Sequence, residues 1–229
     1  MNNIFQVDLK KTIRQQNLFR ILSGKYIPSE ELNHQFDTAA LKGSLFENVF
    51  IESYRSLGGI AVYPEIKFTA PLLEFGRFCV ILDESIHFNR YRAKTLRASF
   101  YENLTSFPLI KYRSYCRKYE VECIKVGTSN SVWTNDEAER HFGPSQQSGD
   151  LGLNGSSGWK FTAFKDFATD LIARQRKIRL IRIAVWDDLM INQNLKKFHE
   201  LLMSPGKTES GLIQNYTEKK LIGLYADDF

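Results

Sequence analysis

Arg77-Phe-Cys-Val-Ile-Leu-Asp83-Glu84-Ser-Ile-His87-Phe-Asn89-Arg90-Tyr-Arg92 opens with an apolar run, Phe78 to Leu82, of the length and composition of a buried strand. The run ends at two adjacent carboxylates, Asp83 and Glu84. His87 follows four residues after Asp83, and a basic, aromatic segment follows that. An ordinary core strand ends in a turn residue. Acid, imidazole and guanidinium crowded at one strand end suit a metal-dependent nuclease site followed by its nucleic-acid contacts. The competing reading is a strand end whose charges are simply solvated.

Working outward, Asp37 or Thr38 can cap a helix that runs to about Leu57 and stops at Gly58-Gly59. Leu41, Leu45, Val49, Phe50, Tyr54 and Leu57 recur on one face, with Glu47 on its rim. A carboxylate on the rim of an apolar stripe wants a metal or a basic partner. Gly59 to Phe68 reads as a strand, and residues 69–76 as a turn or loop. Joined to Phe78–Leu82, this strand makes an antiparallel hairpin that brings Glu65 and Asp83 to the same end. With Glu47 they form an oxygen-ligand set suited to Mg²⁺.

Beyond the site, Arg90, Arg92, Lys94, Arg97, Lys111, Arg113, Arg117 and Lys118 stand against Glu102 alone, with tyrosines interleaved. Asn89 and the first four of these cations are candidate DNA contacts, since basic groups neutralise phosphates and rings pack or stack. Two helices are expected here, about 94–105 and 108–125. A short helix at 135–142 precedes a Gly- and Ser-rich loop at 143–158. An amphipathic helix, Trp159 to Arg174, then turns Phe161, Phe164, Phe167, Ala168 and Leu171 inward and Lys165, Asp166 and Asp170 outward. It feeds a strand over 178–186. That is a crossover, and it implies an α/β sheet. Residues 192–203 read as a helix, Leu221–Tyr225 as an edge strand, and residues 8–23 as a basic helix at the start. Gly155-Ser-Ser-Gly158-Trp159-Lys160 is not a P-loop, because it lacks the Gly-Lys-Ser/Thr ending and no apolar strand leads into it.

The order of these parts resembles the PD-(D/E)XK nuclease superfamily. Ile81-Leu-Asp83-Glu84-Ser-Ile-His87-Phe88 is similar to its very-short-patch-repair-like branch, as are Asp166, Asp170 and Ile183-Ala-Val-Trp186-Asp187. Pro64-Glu65 stands where the family has Pro-Asp. The match covers roughly residues 40–92 and 159–188, which makes 93–158 a helical and loop insertion for DNA contact in a single domain, 1–229. Ser85 stands where the family's acid-x-Lys has lysine, so His87 or Lys67 is the substitute.

The resemblance implies an α/β (α+β) fold of the restriction endonuclease-like kind, a mixed central sheet with a catalytic hairpin flanked by helices. It implies a Mg²⁺-dependent endonuclease hydrolysing double-stranded DNA, of the type II restriction class and homodimeric. Asp83, Glu65 and Glu47 would hold the metal. His87 would handle the proton, and Glu84 would join the catalytic set. Asn89, Arg90, Arg92, Lys94 and Arg97 would bind DNA. The alternatives are a DNA-binding protein on the same fold without hydrolysis, and a partner-binding domain whose charges pair with each other.

Composition sets outer bounds. The chain is 43% hydrophobic, 25% charged and 13% aromatic, with a net charge of +5, which permits a polyanionic partner without demanding one. Cys79, Cys116 and Cys123 form no CxxC pair and read as reduced thiols of a cytoplasmic protein. No apolar run approaches the ~20 residues that span a bilayer.

Overall fold

A computed structural model describes residues 12–29, 35–129, 133–145 and 156–227. Residues 8–11 of the expected first helix, most of the Pro28 connection and most of the 143–158 loop lie outside the described residues. The fold is mixed α and β. A three-stranded sheet in the order β3-β4-β5 joins β3 (Leu73–Phe75), β4 (Phe78–Asp83) and β5 (Leu180–Ala184). β3 and β4 are antiparallel across a tight turn at Gly76-Arg77, and β4 and β5 are parallel, with Asp83 opposite Ala184. The expected crossover is present. Its last element is α7 (Ser157–Gln175), which packs against β5 and against α2 (Glu47–Ser56), α3 (Arg90–Thr95) and α6 (Asp136–Phe142).

β4 is buried along its whole length, as the unbroken apolar run requires of a strand covered on both faces. Helices α2 and α7 meet through rings: Phe164 stacks on Phe50 at 4.9 Å and contacts Tyr54 at 5.0 Å. α7 is buried on nearly every side, so Asp166 and Asp170 point inward, not outward as their spacing suggested.

The hairpin differs from expectation in a way that relocates the site. The segment before Phe68 is not a partner of β4. Its last residues form β2 (Lys67–Thr69), which pairs instead with β1 (Gln35–Asp37) in a separate two-stranded sheet. Pro64 has no N–H to give to a ladder. The preceding residues are held by Thr38, whose Oγ1 donates to the Pro64 carbonyl at 2.7 Å and accepts from the Ile66 N–H at 2.8 Å. Ile60 and Val62 are accordingly exposed. β3 forms where a loop was expected. Carrying its register three residues beyond Leu73–Val80 sets Ala70, not Glu65, across from Asp83.

Other boundaries moved for local reasons. The helix expected from residue 38 begins as a 3₁₀ turn, Thr38–Leu41, before α2. The basic segment breaks into α3, a 3₁₀ turn at Ser99–Asn103, α4 (Leu109–Lys118) and α5 (Glu120–Ser129). Residues 188–197 form a hairpin, β6 (Asp188–Ile191) and β7 (Asn194–Lys197). Asn192 and Gln193 both adopt positive φ, as a two-residue type I′ turn requires. Only Phe198–Met203 (α8) is helical there. The expected edge strand at 221–225 belongs to the last helix, α9 (Lys207–Asp227). α1 (Ile13–Ser23) is closed by a capping box between Thr12 and Gln15.

Gly127 in α5 abuts the fully buried Trp159, and a Cβ on Gly127 would stand 1.7 Å from the indole. Helix propensity favours alanine over glycine by up to about 1 kcal/mol, but overpacking costs typically about 1–3 kcal/mol, and Trp159 is enclosed. Gly127→Ala is therefore expected to lower the melting temperature. An unchanged or higher melting temperature would show that the ring moves freely.

A buried acid cluster closed by guanidinium groups

The end of β4, the middle of β5 and the inner face of α7 converge. Arg182 sits in β5 with its side chain 2% exposed. Its Nη1 donates to Asp83 Oδ1 at 2.5 Å, its Nε to Asp170 Oδ1 at 2.6 Å, and its Nη2 to the Asp166 carbonyl at 3.0 Å. Nη1 also lies 3.6 Å from Asp166 Oδ1. A second guanidinium, Arg92 of α3, donates to Asp170 Oδ2 at 3.0 Å and to the Tyr101 hydroxyl at 3.1 Å. Tyr101 also donates to Asp170. Tyr112 of α4 donates to Asp83 Oδ2 at 2.8 Å. Both Asp83 oxygens are thus engaged, and the residue is 1% exposed.

His87 completes the cluster from the rim. Its Nδ1 lies 2.8 Å from Asp166 Oδ2, and its side chain keeps 17% exposure. Its other ring nitrogen has no hydrogen bond among the described residues. Helix α3 begins just after it, because Asn89 caps the helix by accepting from the N–H groups of Tyr91 and Arg92. Burial would lower the His87 pKa, but the carboxylates of Asp166 and Asp83 outweigh it and raise the pKa. Asp166 is the reverse case. Burial opposes its ionisation, yet His87 and Arg182 hold it well below the usual carboxylate range. Burial pushes the Asp83 carboxyl up, with Arg182 and His87 acting against it.

One atom each of Asp83, His87 and Asp166 lie within 4.8 Å of one another, a grouping that could face a cation. The donor set does not fit Mg²⁺. That ion takes near-octahedral oxygen ligands at about 2.0–2.1 Å. Here one donor is an imidazole, one carboxyl resists ionisation, and the Arg182 guanidinium already stands 2.5 Å from Asp83. A buried guanidinium and a divalent cation compete for the same charge.

The other expected residues are placed elsewhere. Glu65 is exposed and lies 3.8 Å from Lys42. Glu47 is half-buried and accepts from the Gly43 N–H at 2.9 Å. Neither joins Asp83, so the expected ligand triad of Glu47, Glu65 and Asp83 is not assembled. Glu84 is buried but turned to the N-terminal helix, where Thr12 Oγ1 donates to it at 2.7 Å and Arg14 Nη2 lies 2.6 Å away. Among the expected DNA contacts, Asn89 and Arg92 are 1% exposed, and Arg90 is ion-paired with Glu120 at 2.9 Å. Lys94 and Arg97 reach solvent. Arg182 was missed. Its signal is a guanidinium flanked on both sides by apolar residues within the strand, Leu180 and Ile181 before it and Ile183 and Ala184 after it.

Removing Arg182 leaves three buried carboxyl groups short of their main cation. Loss of one partner of a buried pair costs about 3–5 kcal/mol, so Arg182→Met should unfold at much lower denaturant, with the midpoint as the readout. The His87 contribution has a definite pH sign. Its folded pKa is raised, so the stability it adds is full below the unfolded value of about 6.5 and is lost as pH rises through the folded value. His141 and His199 are lowered by burial and act in the opposite sense. The difference in stability between wild type and His87→Gln, measured across neutral pH, should therefore shrink as pH rises. A difference that is constant with pH would mean that the Asp166–His87 pair is not charged.

No helix of the described residues is long and apolar enough to cross a membrane, and Cys79, Cys116 and Cys123 are free and buried. No curated protein and no solved structure matches the chain. A family profile does match, over residues 52–204, which hold β4, α3 to α7 and β5 and so the whole cluster. The chain belongs to that family, the family of unknown function DUF7255.

Proposed function

We propose that the chain binds double-stranded DNA on a restriction endonuclease-like scaffold without Mg²⁺-dependent hydrolysis. The observation that carries the reading is how residues 90–118 divide their cations. Arg92 is spent inside on Asp170, Arg90 on Glu120, and Arg113 on the Leu96 carbonyl at 2.8 Å. Lys94, Arg97, Lys111, Arg117 and Lys118 are exposed and have no ion-pair partner among the described residues. Five solvated cations on one short stretch of chain suit a phosphate backbone and impart no sequence specificity by themselves. The antiparallel pair, crossover helix and parallel strand support the scaffold. The closed acid cluster supports the absence of hydrolysis.

A second reading is a DNA-cleaving enzyme, of the homodimeric restriction type in its fullest form. The partly exposed His87, oriented by Asp166, favours it, since an imidazole held by a carboxylate is a usual proton-transfer device. For Mg²⁺ to serve that enzyme, Arg182 would have to leave Asp83.

Two measurements test these readings. Alanine at Lys94, Arg97 and Lys111 together should weaken duplex binding and reduce the slope of log affinity against log salt by about 0.9 for each phosphate no longer neutralised. An unchanged slope would place the interface elsewhere. Plasmid DNA incubated with the protein in Mg²⁺ should stay intact. Cleavage abolished by Asp83→Asn in a protein of normal melting temperature would establish the enzyme instead. On the binding reading, Asp83→Asn lowers stability by about 1–3 kcal/mol and leaves DNA affinity unchanged.

A further inference from the structure

Helix α4 has two sides of opposite character. Tyr112, Tyr115 and Cys116 are buried. The Tyr112 hydroxyl donates to Asp83 Oδ2 at 2.8 Å and the Tyr115 hydroxyl to Asp187 Oδ1 at 3.2 Å, so two buried carboxyls fix the rotation of the helix about its axis. The outer side carries Ile110, Lys111, Ser114, Arg117 and Lys118, all exposed. At about 100° per residue, Ser114 falls at the centre of that side, with Ile110 and Arg117 on one flank and Lys111 and Lys118 on the other. α4 contains no carboxylate, and neither does α3, which packs against it. Lys111, Arg117 and Lys118 have no ion pair among the described residues, and Lys118 Nζ stands 5.1 Å from the Tyr119 ring centroid. Ile110 is 83% exposed. A lone exposed aliphatic side chain is ordinary on a protein surface. One set among three cations on an acid-free helical face is placed to touch an apolar group of a polyanion.

We infer that α4 enters the DNA major groove and that Ile110 reads thymine there through its 5-methyl group. The inference rests on the duplex-binding reading and deepens it, since the cations alone carry no sequence preference. The major groove is about 12 Å wide and admits an α-helix. α4 has ten residues, so it is about 15 Å long. The small Ser114 at the centre of the outer side lets the helix backbone approach the groove floor. Cations on both flanks then face the two phosphate walls, Arg117 toward one and Lys111 and Lys118 toward the other. Thymine is the base that presents a methyl group in this groove, and an apolar side chain is its natural contact. The buried tyrosine hydroxyls hold the reading face in place before DNA arrives, as a site on a rigid element requires.

Fluorescence anisotropy with two duplexes tests it, one of alternating adenine and thymine and the other the same with uracil in place of thymine. Uracil lacks only the methyl group. Wild type should bind the uracil duplex about fourfold more weakly for each methyl contacted, the worth of one buried carbon. Ile110→Ala should bind the two duplexes equally. Ser114→Glu sets a carboxylate at the centre of the reading face and should weaken both duplexes by about tenfold or more, as like charges brought together in an interface do. Asn48→Asp, at an exposed position of α2, adds the same charge elsewhere and should change affinity little. The substituted side chains are exposed, and melting temperatures beside wild type confirm that each variant is folded. A wild type that binds neither duplex ends the duplex-binding reading and this inference with it. A wild type that binds both duplexes equally well overturns the inference alone. So does a thymine preference that survives Ile110→Ala, or a Ser114→Glu variant that loses no more affinity than Asn48→Asp.

Discussion

A guanidinium removed from water must recover nearly all of its hydration from the protein, and Arg182 does so with groups drawn from two neighbouring elements. Asp83 comes from the adjacent strand, and Asp166 and Asp170 come from the crossover helix. Placing this arginine in the middle of β5 therefore fixes the register of β5 against β4 and the rotation of α7 about its axis. A one-residue slip of β5 would turn Arg182 to the other face of the sheet and leave the carboxyls unmet. Such networks are poor evidence of extra stability, since an apolar core of equal volume is often as stable. Their effect is felt when one member is removed.

The same geometry ties down the basic insertion. Arg92 and Tyr101 reach Asp170, and Tyr112 reaches Asp83, so α3, the following 3₁₀ turn and α4 are each anchored to the cluster by one polar side chain. Aromatic contacts then fill the space between anchors, with Phe107 4.8 Å from Tyr101 and 4.9 Å from Tyr112. Of the interleaved tyrosines, Tyr101, Tyr112 and Tyr115 are core, and their hydroxyls answer buried carboxyls.

The sequence was legible where periodicity and burial agreed. The apolar run of β4, the long helix α7 and the strand β5 stand where the sequence places them, and with them the parallel crossover. It was illegible where two segments of similar propensity competed for one partner. Residues 59–68 carry β-branched and aromatic side chains, but Pro64 and the hydroxyl of Thr38 divert them, and the Leu73–Phe75 triplet takes the edge of β4. Glu65 was expected beside Asp83 on the strength of that hairpin, and it left the site when the hairpin moved. Asp83 and His87 were legible because acids at a strand end are conspicuous. Arg182 was not, because a single charge within a strand reads equally as a solvent-facing position in an alternating pattern.

Charge compensation also explains why identical residue types carry different meanings along one segment. Arg90, Arg92, Lys94 and Arg97 occupy eight residues, yet helical rotation sends Arg92 beneath the surface, Arg90 onto Glu120, and leaves Lys94 and Arg97 in water. Arg92 inside is what allows Asp170 to be buried, and Asp170 in turn shares Arg182 with Asp83. A basic stretch of this kind thus contributes to the fold on one face and leaves cationic potential on the other. The two faces are only a few residues apart, so one short segment serves the interior with one cation and the solvent with the next.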